Sequence, residues 1–154
     1  MIAEKLIAAT PWAEYRISVG GASHIGESLR QLLSSNSPES ADAAYWQLEN
    51  NIVAQGTVYS AAVPTMRILA SSLVDVRPLW VRISALELMY QVLSGQDAPG
   101  EANHGSNSLV SQCAKIVSEA LWLIIREYVN GPREAAEDVL KLLATDIDYS
   151  RLAQ

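Results

Sequence analysis

Few side chains in this sequence are of types that carry covalent chemistry, and those few stand apart. His24 and His104 lie 80 positions apart, with no Cys or second His beside either and no HxxxH or CxxC spacing to hold a metal. His24 reads as a helix-surface residue and His104 as a solvated loop residue. Cys113 is the only cysteine. It excludes an internal disulfide, and its place in a helical pattern predicts a buried free thiol. No GxSxG nucleophile turn occurs. Gly20-Gly21 and Gly26 lack the strand and lysine of a phosphate loop, so these glycines read as helix stops. The residues suited to non-covalent work are more numerous. Glu134, Glu137 and Asp138 crowd one turn near a helix N-terminus, where negative charge is favoured. They form either a solvated helix start or an acidic patch that receives a basic partner. Trp80 shares a helical strip with Ser84, Glu87 and Gln91. An exposed tryptophan beside acids has the composition of a binding hot spot. Trp80 packed against a neighbouring helix is the rival reading. Gln47 and Asn50, on the preceding helix, supply polar contacts, unless Asn50-Asn51 only caps local backbone groups. Trp46 reads as core.

Bulk composition narrows the partner. The chain has 154 residues, 49% hydrophobic and 18% charged, which fits a single folded domain over 1–154. Its 11 basic residues face 17 acidic ones, for a net charge of −6. A sequence-independent grip on nucleic acid needs the opposite balance. A basic protein partner is accommodated more easily. The opening MIAEKLIAATPWAEYR has too short an apolar run and too early a charge for a signal peptide, and no uncharged apolar run of membrane-spanning length occurs. The expectation is a cytoplasmic protein, with no membrane, metal or cofactor role.

The elements that must position these residues are helices. Ile2–Ala9 reads as a short helix. Thr10-Pro11 reads as the cap and first position of a second, running to about Val19. Helical spacing of Ile25, Leu29, Leu32 and Leu33 predicts a third over about 22–35. Ser37-Pro38 starts a fourth, running to about Gln55, with Ala41, Tyr45, Leu48 and Ile52 on one face. A fifth is expected over about 57–74, with Pro64 on its solvent side and a bend there. A sixth covers about 77–94. It carries Leu79, Ile83, Leu86, Tyr90 and Leu93 on one stripe and Val81, Ala85, Leu88 and Val92 nearly opposite. Such a helix is sandwiched between neighbours and shows only one edge. Gly95–Asn107 reads as a long loop. One long helix is expected over 108–130, and a last one over about 132–144, with Val139, Leu142 and Leu143 inward.

Two patterns suggest stacking of similar units. Trp12, Trp46 and Trp80 recur at intervals of 34, with Trp122 following after 42. The central stretch AAVPTMRILASSLVDVRPLWVRISALELMYQVL resembles a HEAT repeat over about 35 residues. Pro64, Asp75, Val81 and Arg82 stand where that family has its first-helix proline, its turn aspartate and the Val-Arg pair opening its second helix. The resemblance implies an all-α fold, a short right-handed α-solenoid of stacked antiparallel helix pairs, whose second helices line a concave surface. Small acidic HEAT-like proteins also look like bacterial immunity proteins. That likeness implies a non-enzymatic, toxin-neutralising role, in which an acidic concave face occludes a basic toxin domain. A HEAT-like scaffold or regulatory subunit of a larger assembly is the alternative. A HEAT-like enzyme, such as a pigment lyase or a DNA glycosylase, is the third possibility. The acidic balance opposes the glycosylase, and Cys113 is the sole thiol available to a lyase.

Overall fold

The computed structural model describes residues 1–101 and 108–153. Among them are eight α-helices: α1 (Ile2–Ala9), α2 (Ile25–Leu33), α3 (Pro38–Ile52), α4 (Ala62–Ser72), α5 (Leu79–Leu93), α6 (Leu109–Glu119), α7 (Leu121–Asn130) and α8 (Arg133–Leu142). Two dipeptides, β1 (Thr57–Val58) and β2 (Gln96–Asp97), pair in parallel. The fold is all-α in substance, as the periodicity predicts.

Local chemistry explains the firmest boundaries. At the start of α3 the Ser37 hydroxyl accepts from the Ser40 N–H at 3.1 Å, and the Ser40 hydroxyl accepts from the Ser37 N–H at 3.3 Å. This reciprocal cap, followed by Pro38, is worth about 1 kcal/mol. The α6 start is capped twice. The Ser108 hydroxyl accepts from the Ser111 N–H, and the Asp97 carboxylate reaches across to accept from the N–H groups of Leu109 and Val110 at 2.8 and 3.0 Å. Part of the expected 95–107 loop is thus built in. Gly95 packs where a Cβ would lie 2.7 Å from the Val58 side chain and 2.8 Å from the Gly56 carbonyl. Residues 102–107, His104 among them, lie outside the described residues.

Several expectations need correction. Thr10 ends α1, its hydroxyl donating to the Leu6 carbonyl at 2.6 Å, and only a single 3-10 turn, Trp12–Glu14, follows. Thr57 and Val58 leave the helical path because Gln55 and Gly56 take positive φ angles of 51° and 79°. The freed dipeptide then pairs with β2. Pro64 is buried, not solvent-facing. It occupies the first turn of α4, where an N–H has no intrahelical partner, so the ring removes no helix bond. The long helix expected over 108–130 is broken at Ala120 (φ −98°, ψ 14°). No glycine or proline marks that break. It lets α6 pack on α4 while α7 packs on α8. Leu142 is 41% exposed, whereas Val139 and Leu143 are buried as expected.

Helix contacts fall into two files. In one, α1 lies against α4 and α4 against α6. In the other, α2 lies against α3, α3 against α5 and α5 against α8. Helix α5 touches α3, α4, α6 and α8 together, and its Val81, Ala85, Leu86, Leu88, Met89 and Val92 are all buried, but of the second stripe expected to be packed, Leu79 and Tyr90 are exposed. The four tryptophans do not occupy equivalent places. Trp12 is buried, Trp80 half-buried, and Trp46 and Trp122 exposed.

One charged residue lies wholly inside. Glu127 is fully buried, its Oε2 accepting from Arg82 Nη1 and its Oε1 from Arg126 Nη2, each at 2.7 Å. The cluster ties α5 to α7, and Arg126 also donates to the Leu73 carbonyl at the end of α4. Gly131 closes over it. A Cβ there would lie 2.4 Å from Glu127 Oε2 and 3.1 Å from Arg82 Nη1, a carboxylate and a guanidinium already pinned by each other. Removing the carboxylate leaves two guanidinium groups without their shared acceptor. Glu127→Ala is therefore expected to destabilise the fold by about 3–5 kcal/mol in urea unfolding. Trp122→Ala, at a 67% exposed position, should cost less than about 0.5 kcal/mol.

Candidate partner-binding face

The outer edge of α3, α5 and α8 collects acid. On α3 the stripe Asp42, Trp46, Glu49 follows i, i+4, i+7 spacing and so shares one face. On α5 the sandwiched helix shows Glu87. On α8, Glu134 and Asp138 follow i, i+4 spacing. Glu87, Glu134 and Asp138 line one groove of about 460 Å³ between α5 and α8, floored by Ile83 and Ala135. Arg133 borders the groove, but its guanidinium stacks 4.7 Å from the centroid of the Tyr128 ring and donates to the Tyr128 hydroxyl at 3.0 Å. None of Asp42, Glu49, Glu87, Glu134 and Asp138 forms an ion pair with a basic side chain among the described residues.

Two of these acids hold protons more tightly. Partial burial raises Glu49 and Glu87 above the usual carboxylate range, and the charge of Asp42 raises Glu87 further. Burial pushes the Tyr45 phenol up to about 12, with the negative charges of Glu49, Glu87 and Asp42 adding to it. The Tyr45 phenol thus lies in a local negative field to which carboxylates of both α3 and α5 contribute. Trp46 lies within it, 49% exposed, its ring edge-on to Tyr45 at 5.3 Å between centroids.

The residues expected to meet a partner divide. Glu87, Glu134 and Asp138 come together in the groove. Glu137 turns aside and pairs with Lys141 at 3.6 Å. Gln47 is exposed but lines a different depression, with Gln31, Ser35, Asn36 and Ser40. Asn50 is exposed, and its backbone carbonyl accepts from the Ser18 hydroxyl at 2.8 Å. Asn51 donates to the Gln47 carbonyl, the local capping foreseen as the rival reading. Ser84 is buried and Gln91 half-buried, so their strip is narrower than the sequence implied. Trp80 is half-buried against the core, with its indole N–H donating to the Ser35 carbonyl at 3.3 Å. The two tryptophans have exchanged the roles expected of them. Trp46 is the exposed aromatic, and the acids that flank it, Asp42 and Glu49, were legible in the α3 spacing but not singled out.

Away from this face the reactive side chains are quiet. Cys113 is a buried free thiol, pushed up to about 12 mainly by burial. His24 is exposed at the end of a 3-10 turn. Among the described residues no three His, Cys, Asp or Glu side chains converge to hold a metal ion, and no helix is long and apolar enough to cross a membrane.

The raised carboxylates set a pH dependence. A folded-state acid with an elevated pKa binds its proton more tightly than the unfolded chain does. Stability therefore falls as pH rises from the ordinary carboxylate range through the raised one. Glu87→Gln should flatten that fall in urea unfolding measured across the range, and Asp42→Asn should lower the titration midpoints of both Glu87 and Tyr45 in NMR. In comparisons with known proteins, no family model matches the chain, nor does any curated protein or solved structure.

Proposed function

We propose that this chain is a non-enzymatic protein-binding module whose acidic α3–α5–α8 face covers a basic protein domain. The observation that carries the reading is the set of five carboxylates on three adjacent helices with no basic partner among the described residues, two of them held above their usual pKa range. A surface of this kind gains when cations approach. An incoming Lys or Arg lowers the carboxylate pKa values, and long-range attraction speeds encounter. Trp46 supplies the rigid aromatic anchor of a hot spot. In the setting suggested by the likeness to immunity proteins, the partner is a basic toxin domain and the mechanism is occlusion in the bacterial cytoplasm. The two files of helices support the matching architecture, a short right-handed solenoid in which α3, α5 and α8 form the concave side.

A HEAT-like scaffold or regulatory subunit is the second reading. It draws on the exposed Val74, Val76, Leu79 and Trp122, apolar surface that an occluding inhibitor does not require.

Affinity capture from the source organism distinguishes them, using the wild type, Trp46→Ala and Glu87→Gln. The expected result is one stoichiometric basic partner. Trp46→Ala should weaken it by about 2 kcal/mol, roughly thirtyfold, and Glu87→Gln should slow its association at low salt. Co-expression should relieve any toxicity of that partner. An acidic partner, or binding indifferent to both substitutions, overturns the reading. Several partners bound through Trp122 instead point to the scaffold.

A further inference from the structure

The turn between α4 and α5, where it meets α7, carries the opposite charge. A cavity of about 300 Å³ is lined there by Arg77, Arg82, Arg126 and Asn130, together with the carboxylates of Asp75 and Glu127. Three of the chain's 11 basic residues thus gather in one place in a protein of net charge −6. The arginines are not equivalent. Arg77 is fully committed: Nε donates to the Ser72 carbonyl, Nη1 to the Leu33 carbonyl, and Nη2 to Asp75 at 3.3 Å. Glu127 occupies Arg82 Nη1 and Arg126 Nη2. Two carboxylates therefore balance two guanidinium groups, and one positive charge remains.

The spare donors are specific. Arg82 Nε is enclosed and has no acceptor among the described residues. A buried N–H left in that state costs free energy that an acceptor would recover. Arg126 places both of its protein bonds on Nη2, so its Nε and Nη1 have no acceptor among the described residues. Its side chain is 43% exposed and stands at the mouth, with Arg82 behind it at 25%. Asn130 is exposed and adds an amide donor. Val76, fully exposed, sits on the rim, and Trp122 lies one helical turn before Arg126.

We infer that this cavity is an oxyanion-binding site, in which Arg126 and Asn130 grip a carboxylate or phosphate group and Arg82 supplies the charge behind them. Guanidinium donors match both groups geometrically. The volume suits a small ligand or the terminal carboxylate of a peptide. The site is independent of the acidic face, from which the Gly131-Pro132 turn separates it.

Guanidinium NMR tests this. The full chain, labelled with ¹⁵N-arginine, is titrated at low ionic strength with inorganic phosphate, with acetate, and with chloride as a control. The expected result is a saturable shift of the Arg82 and Arg126 Nε–H signals with phosphate, with acetate or with both, absent with chloride. The anion that saturates at lower concentration identifies the source. Arg126→Gln should abolish the response. Val76→Glu, a change at a fully exposed rim position that leaves the fold intact, should raise the midpoint by about tenfold by setting a like charge beside the ligand. Shifts that follow ionic strength in all three salts, or that spread over every arginine, overturn the site, as does a midpoint unchanged by Val76→Glu.

Discussion

Helix α5 is apolar on two nearly opposite sides, and the rest of the molecule answers that constraint. Most of its apolar side chains call for cover, because a side chain the size of Leu or Val left in water forgoes about 1.5–3 kcal/mol. Helices α3, α4, α6 and α8 all lie against it. What remains is an outer edge, on which Glu87 emerges between the exposed Leu79 and Tyr90. The acidic surface is therefore a by-product of core packing. The same contacts that bury Leu88 and Met89 bring α3 and α8 alongside, so that Asp42, Glu134 and Asp138 stand near Glu87.

Charge is used in two contrasting ways. Glu127 is buried and fully engaged by two arginines, so it acts within the fold as a tie between α5 and α7. Its net contribution to stability is modest, since two desolvated charges recover little more than their burial cost, but it fixes how these helices meet. The carboxylates of α3, α5 and α8 are treated oppositely. They share a surface without basic partners among the described residues, and burial raises Glu87, with the charge of Asp42 adding to it. Between these regions, the turn at Gly131 permits Arg82 and Glu127 to pack tightly on one side while the acidic groove opens on the other.

How much of this was legible depended on whether the signal was local. The Ser37-Pro38 cap and the buried face Ala41–Tyr45–Leu48–Ile52 follow from spacing alone, and both are present; of the two stripes expected on α5, Val81–Ala85–Leu88–Val92 is buried, whereas Leu79 and Tyr90 of the other are exposed. The break at Ala120 carries no local mark, because it is set by α6 and α7 finding different neighbours. Pro64 was misplaced by an error in where α4 begins, which in turn rested on the strand-like escape of Thr57 and Val58. Trp46 and Trp80 were exchanged because both lie at the margin of an apolar face, where a few tens of degrees of helix rotation decide exposure. The Ser35 carbonyl that receives Trp80 comes from 45 residues away. The Arg82–Glu127 pair was half legible: each charged residue is embedded in an apolar stretch, which calls for a partner without saying which.

The most direct test of the account is the association rate of the captured partner as a function of salt. If the acidic edge steers a basic domain onto the molecule, the rate should fall steeply as ionic strength rises, while the dissociation rate changes little. The dependence should shrink when Asp42, Glu87 and Asp138 are neutralised together. An association rate indifferent to salt, or a dependence that survives the triple change, would contradict the claim that this face is what the partner meets.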